Sequence, residues 1–207
     1  MNIAALPLAG FEDRFANPLS VDHRRELALA RDRSRVIHKT ARVAAFNGWS
    51  SAIIAAASAP FALTSPIALA LTAAIAIVAV NEFRGRRRIL NFNPSGATLL
   101  GWNQIFFLAM ITAYSLWMLY GNLSNSGSVS DELKGYVDLD SALGSSGGFA
   151  GVYKQIILIF YGGVIGLSAL FQGGTAFYYF SRRRQIEDFV AETPEWVRDV
   201  QRETHSA

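Results

Sequence analysis

The chain is organised around long stretches that carry no charged side chain. The first runs over residues 43–81, which is 39 residues. A helix that crosses the hydrocarbon core of a bilayer needs about 20 apolar residues, so this stretch is too long for one crossing and long enough for two short ones. Pro60 and Pro66 lie near its middle. Because proline breaks a helix, the pattern predicts a hairpin of two spans, at about 43–59 and 65–81.

Two further uncharged stretches follow, at 89–130 and 155–181. Each holds an apolar run of the length that a membrane helix needs, and the predicted spans lie at about 97–120 and within 152–180. The sequence therefore predicts an all-α integral membrane protein with four transmembrane helices. The first two form a short hairpin, and amphipathic helices flank the spans on the cytoplasmic side.

Lysine and arginine fall almost entirely on one side of this topology. Of the 19 such residues, 17 lie before the first span, between the second and third, or after the fourth, and only Lys134 and Lys154 lie on the other side. Cytoplasmic loops carry the excess of these residues, so both termini are expected in the cytoplasm and the protein in the cell membrane. A single crossing over 43–81 would instead place two arginine-rich blocks on opposite sides.

The predicted organisation has three parts. They are a basic cytoplasmic segment at 1–42, a transmembrane domain at 43–180 with an acidic extracytoplasmic loop at 121–151, and a cytoplasmic helical tail at 181–207.

The basic residues beside the spans form a candidate surface for anionic lipid headgroups. They are Arg24, Arg31, Arg35, Lys39, Arg42, Arg86, Arg87, Arg88, Arg182, Arg183 and Arg184. Two interpretations of the N-terminal set stay open: an amphipathic helix that binds the membrane surface, or a solvated helix that obeys the positive-inside rule. Membrane orientation explains the arginine runs, so no nucleic-acid partner is expected.

Small residues mark one face of the fourth span. Gly162, Gly166, Ala169 and Gly173 follow one another at spacings of four, three and four. Small side chains let helix backbones approach closely in lipid, so this face is predicted to pack inside the bundle. A homodimer face is the alternative, because the motif does not identify the partner helix.

Uncharged amides form the second candidate site. They are Asn47, Asn81, Asn103, Gln104 and Gln172. Gln104 and Gln172 are predicted to lie at similar depth, where a hydrogen bond between them would join the third and fourth spans. The cluster is interpreted as a structural link between helices, and a pocket for a polar substrate or a lipid headgroup is the alternative.

The residues that carry most enzymatic chemistry are missing from the predicted spans. The chain has no cysteine, and its three histidines all lie outside the spans. No catalytic set, metal site or cofactor is predicted. The expected function is non-enzymatic assembly, scaffolding, or partner and lipid interaction, with a small transporter or channel subunit for a neutral solute as the alternative. Membrane lipids are the expected partners, and a homo-oligomer or a larger membrane complex is left open.

Overall fold

The computed structural model describes residues 19–124 and 148–206, which are almost entirely helical. The predicted all-α class is confirmed. Most of the predicted loop at 121–151 lies outside the described residues. The described helices are α1 Val21–Ala62, α2 Pro66–Leu90, α3 Ser95–Ser124, α4 Gly148–Glu192 and α5 Glu195–Ser206.

The first helix joins the predicted basic segment to the predicted first span. α1 is one continuous helix of 42 residues. The Ser20 hydroxyl caps it by accepting a hydrogen bond from the His23 amide at 3.1 Å, and Asp22 lies in the first turn, near the positive end of the helix dipole. The boundary predicted between residues 42 and 43 therefore falls inside a helix, as does the boundary predicted between residues 180 and 181 in α4.

A short turn separates α1 from α2 where the prolines predicted a break. α1 ends at Ala62, just after Pro60. The Ser65 hydroxyl caps α2 by accepting a hydrogen bond from the Ala68 amide at 3.1 Å, and Pro66 occupies the start of the helix. Proline is well suited to that position, because the amide proton it lacks would have no partner within the helix. The last turn of α1 accommodates Pro60.

Three of the described helices are long and apolar enough to cross a membrane, as expected of a membrane protein. They are α2, α3 and the part of α4 from Gly151 onward. α1 is not among them, and its apolar half contains the run Asn-Gly-Trp-Ser-Ser at 47–51, which lowers its hydropathy. Three of the four predicted spans are thus supported by length and composition, and the crossing by α1 stays a prediction.

The long helices pair as two antiparallel hairpins, α1 with α2 and α3 with α4. The turn at 91–94 connects the hairpins and brings α2 against α3. Within this turn Phe92 has a positive φ of 56°, which is uncommon for a bulky residue. Its buried ring packs against Phe189 with centroids 5.0 Å apart, so tertiary contacts hold the turn in this conformation.

The main cluster of buried apolar residues lies at one end of the bundle, which we call the charged end because the arginine-rich segments meet there. All five helices contribute to the core or pack beside it. Its members are Ala30, Ile37, Ala41, Ala44, Ile89, Phe92, Ala97, Leu100, Tyr179, Ile186, Phe189 and Val197. In the most apolar 18-residue window of α4, by contrast, no residue is buried. The helices are therefore packed tightly at the charged end and loosely along their apolar parts.

The last helix folds back against α1. The rings of His23 and Trp196 meet edge to face with centroids 5.1 Å apart, and Val197 is fully buried. An exposed ion pair between Arg33 and Glu192 at 2.9 Å joins α1 to the end of α4 nearby. These contacts hold α5 at the charged end.

Candidate functional site: a buried carboxylate cluster

The most unusual side chain at the charged end is a carboxylate with no exposed surface. Glu82 lies in α2 on the same helical face as Val78, Gly85 and Ile89, and its exposure is 0%. Gly48 of α1 faces it: a Cβ added there would lie 3.2 Å from the Glu82 Cβ. The glycine therefore lets α1 approach α2 at the level of the carboxylate.

Three neutral side chains donate hydrogen bonds to this carboxylate. Asn103 Nδ2 and Gln104 Nε2, from adjacent positions in α3, donate to Glu82 Oε1 at 2.9 and 2.7 Å. The Tyr179 hydroxyl in α4 donates to Oε2 at 3.2 Å. Both carboxylate oxygens thus have a donor, as a buried carboxylate requires to offset its lost hydration.

A second layer of hydrogen bonds orients the donors. Asn47 Nδ2 of α1 donates to the Tyr179 hydroxyl at 3.1 Å. Asn81 Nδ2 donates to Asn103 Oδ1 at 3.3 Å, and Asn103 Nδ2 also donates to the Val78 carbonyl at 3.0 Å. All four long helices contribute. We call the set the Glu82 cluster: Asn47, Asn81, Glu82, Asn103, Gln104 and Tyr179.

All three donors to the Glu82 carboxylate are neutral side chains. Over the residues that the structure describes, no Lys, Arg or His forms an ion pair with Glu82. Hydrogen bonds to a charged acceptor are the stronger kind, and a buried donor left without its acceptor costs about 1–3 kcal/mol. The cluster thus favours one register of the four helices, and its carboxylate presents no surface to a dissolved substrate.

Four of the five amides predicted to cluster are brought together here. Asn47, Asn81, Asn103 and Gln104 lie in one hydrogen-bonded network, whereas Gln172 lies apart from it. No hydrogen bond joins Gln104 to Gln172 within the described ranges, and Gln172 Oε1 has no hydrogen-bond partner there. Gln104 instead binds the carboxylate, which is a better acceptor than an amide oxygen.

The two central members of the cluster were missed by sequence reasoning. Glu82 immediately follows the first uncharged stretch and Tyr179 lies within the fourth predicted span, and neither is among the predicted site residues. One signal in the sequence could have identified Glu82: it follows Val78 by four residues and precedes Gly85 and Ile89 by three and seven. That spacing places it on the inner face of a helix.

The predicted small-residue face of α4 makes no close contact within the described part of the chain. A Cβ added at Gly162, Gly166 or Gly173 would meet no heavy atom within 4 Å. The predicted packing of these positions inside the bundle is therefore not formed, because the apolar half of α4 lies open. Their alternative role, as a homodimer face, stays a prediction.

Close packing occurs instead at glycines of the charged end. A Cβ at Gly96 would lie 2.8 Å from the Gly85 carbonyl oxygen, and one at Gly101 would lie 2.6 Å from Phe180 Cζ. These glycines let α3 approach α2 and α4 closely near the Glu82 cluster.

The predicted headgroup-binding residues lie around the charged end, and most are exposed. Arg182 lies over the Tyr178 ring, 4.8 Å from its centroid, and donates to Gln185 at 2.7 Å. Arg183 pairs with Glu187 at 2.8 Å. The basic residues of α1 line a cavity that is described below.

No group of three or more His, Cys, Asp or Glu side chains gathers as a metal site in the described ranges. Comparisons with protein-family models, with curated proteins and with solved structures give no match to this chain. The functional argument therefore depends on the residues and the geometry of the chain itself.

Proposed function

We propose that this chain is a four-span membrane protein that acts by binding other membrane components and catalyses no reaction itself. The observation that carries the proposal is the uneven packing of the bundle. Its main cluster of buried apolar residues lies at the charged end, whereas no residue is buried in the apolar window of α4 and few are in those of α2 and α3. Helix surfaces of this kind are available to lipid and to other transmembrane helices.

The hydrogen bonding of the amides supports this function over transport of a neutral solute. A solute pathway needs polar groups that are available to the solute. In the Glu82 cluster the carboxylate and its four amide neighbours instead bind one another and Tyr179. They connect the helices of this chain to one another and are not available to a solute.

The orientation in this proposal follows from charge. Both termini and the charged end lie on the cytoplasmic side, because 17 of the 19 Lys and Arg residues then lie there. α1 packs against α2, a candidate span, and this pairing supports a crossing by α1 as well. A helix hairpin places its turn, here at 63–65, on the opposite side.

Extraction into polymer-bounded nanodiscs tests the proposed function. Two differently tagged copies of the full chain are co-expressed and captured through one tag. We expect a further protein component at a fixed ratio to the captured chain, and expect that ratio to hold across expression levels because the contact is specific. The second tag shows whether the component is another copy of this chain.

A ratio that rises in proportion to expression would indicate random co-capture and contradict the proposal. Single chains without a companion would contradict the binding of other membrane proteins. If such chains also conferred solute flux on liposomes, the protein would be a transporter.

A further inference from the structure

A basic cavity lies between α1 and α5 at the charged end. Its volume is about 850 Å³. The α1 wall contributes four cationic side chains, Arg31, Arg35, Lys39 and Arg42, and no carboxylate lines the cavity. The concave shape and the single sign of charge favour an anionic ligand, because such clefts concentrate field lines.

Most of this charge is not neutralised by the protein. In the part of the chain that the structure describes, Arg31, Lys39 and Arg42 form no ion pair, and Arg35 forms an exposed one with Asp32 at 3.2 Å. Exposed pairs of that kind contribute little.

The spacing of the cations is itself unfavourable without a ligand. Arg31, Arg35 and Lys39 follow one another at four-residue steps, so like charges are neighbours on one helical face. Like-charged neighbours at this spacing destabilise a helix. A bound anion would relieve that repulsion.

An apolar groove begins next to the basic cavity. Val43 lies one helical turn beyond Lys39 on the same face of α1, and it lines a groove of about 350 Å³ together with Leu170, Phe171 and Gly174 of α4. On α4 the groove is lined by residues between 170 and 178. The Thr40 and Tyr178 hydroxyls are 3.2 Å apart and join α1 to α4 at the start of the groove.

We propose that the basic cavity binds a phosphate group, supplied by an anionic glycerophospholipid whose acyl chain lies in the groove. The inference deepens the proposed function by assigning a lipid class to one part of the surface, and it rests on that function in placing the cavity at the membrane. A soluble phosphate ester is also negatively charged, but it has no acyl chain to lie in the groove.

Lipid titration of the purified full chain in mild detergent tests this site. The midpoint of thermal unfolding is followed against short-chain phosphatidylglycerol, against phosphatidylcholine with the same acyl chains, and against inorganic phosphate. We expect a saturable rise with phosphatidylglycerol, because its net negative charge matches the cavity. Zwitterionic phosphatidylcholine and inorganic phosphate are expected to give little or none.

Matched variants test whether phosphatidylglycerol binds in the basic cavity. The triple change Arg31→Gln, Lys39→Gln and Arg42→Gln is expected to weaken the apparent affinity for phosphatidylglycerol on the order of 100-fold. The control removes three exposed arginines that do not line the cavity, by Arg84→Gln, Arg87→Gln and Arg184→Gln, and is expected to weaken it severalfold at most. If the triple variant unfolds without lipid, the single Lys39→Gln variant replaces it, with an expected loss of about fivefold.

The Gly174→Leu variant distinguishes binding of the lipid from binding of a soluble phosphate. No heavy atom lies within 4 Å of a Cβ added at Gly174, and this residue lines the groove, so a leucine there is expected to occupy part of the groove. We expect it to weaken phosphatidylglycerol binding. If Gly174→Leu had no effect and inorganic phosphate stabilised the chain as well as the lipid did, the lipid assignment would be overturned in favour of soluble phosphate.

If the triple cavity variant and the control lost affinity for phosphatidylglycerol equally, the proposal that the lipid binds in the basic cavity would be overturned. The titration uses the isolated chain, so its result is independent of whether a protein companion is captured. Failure of this inference and failure of the proposed function are therefore distinguishable.

Discussion

Replacing Glu82 with alanine is expected to lower the free energy of unfolding of the detergent-solubilised protein by several kcal/mol. The change removes the acceptor of Gln104 Nε2 and of the Tyr179 hydroxyl, which leaves two buried donors without their partner. Each such donor costs about 1–3 kcal/mol, and the space left by the side chain adds to the loss. Chemical unfolding followed by tryptophan fluorescence measures the effect.

Two further variants show whether this loss comes from the cluster. Glu82→Gln keeps an oxygen that can accept from both α3 amides and disturbs only the contact with Tyr179, so we expect a loss of about 1 kcal/mol. Glu187→Ala removes the same side chain from an exposed ion pair with Arg183 and is expected to cost about 1 kcal/mol or less. Equal stability of Glu82→Ala and Glu187→Ala would show that the cluster does not hold the helices together.

Adding one methyl group to a glycine should have opposite effects at the two ends of the bundle. At Gly101 the new Cβ would lie 2.6–2.9 Å from three atoms of the Phe180 ring, and at Gly96 it would lie 2.8 Å from the Gly85 carbonyl oxygen. Overpacking of this kind costs about 1–3 kcal/mol. We therefore expect Gly96→Ala and Gly101→Ala to lower the midpoint of thermal unfolding clearly.

The matched control is Gly166→Ala in the open half of α4. Its Cβ meets no heavy atom within 4 Å, and alanine favours a helix over glycine by up to about 1 kcal/mol. The midpoint should stay unchanged or rise. A loss at Gly166 as large as that at Gly101 would mean that α4 packs closely within the single chain, contrary to the structure.

The sequence predicted those features of the fold that depend on local patterns. The turn near Pro66 follows from proline chemistry, and the helical class follows from uncharged stretches of span length. The domain limits predicted at 42 and 180 fall inside α1 and α4 for a physical reason: charge marks where a helix leaves the hydrocarbon, but arginine is a good helix former and does not end the helix. α1 and α4 therefore continue past both positions.

The candidate site was predicted only in part, because burial is set by partners from elsewhere in the chain. The amides were identified by their polarity within apolar stretches. Glu82 was not, since a charge at the end of such a stretch is usually solvated, and only the approach of α1 at Gly48 and of α3 encloses it. The glycines that matter for packing, such as Gly96 and Gly101, are identified by their contacts with α2 and α4, which the sequence does not show.

Cysteine accessibility in intact cells tests the central claim, that the chain crosses the membrane four times with its charged end in the cytoplasm. The chain has no cysteine, so a cysteine introduced at one position is the only thiol in it that the reagent can label. Leu19→Cys, Thr64→Cys and Ser181→Cys mark the start of α1, its turn into α2, and α4 at the charged end. We predict that a membrane-impermeant maleimide labels only Thr64→Cys in intact cells and labels the other two after permeabilisation. Labelling of Leu19→Cys and Thr64→Cys from the same side would contradict the account.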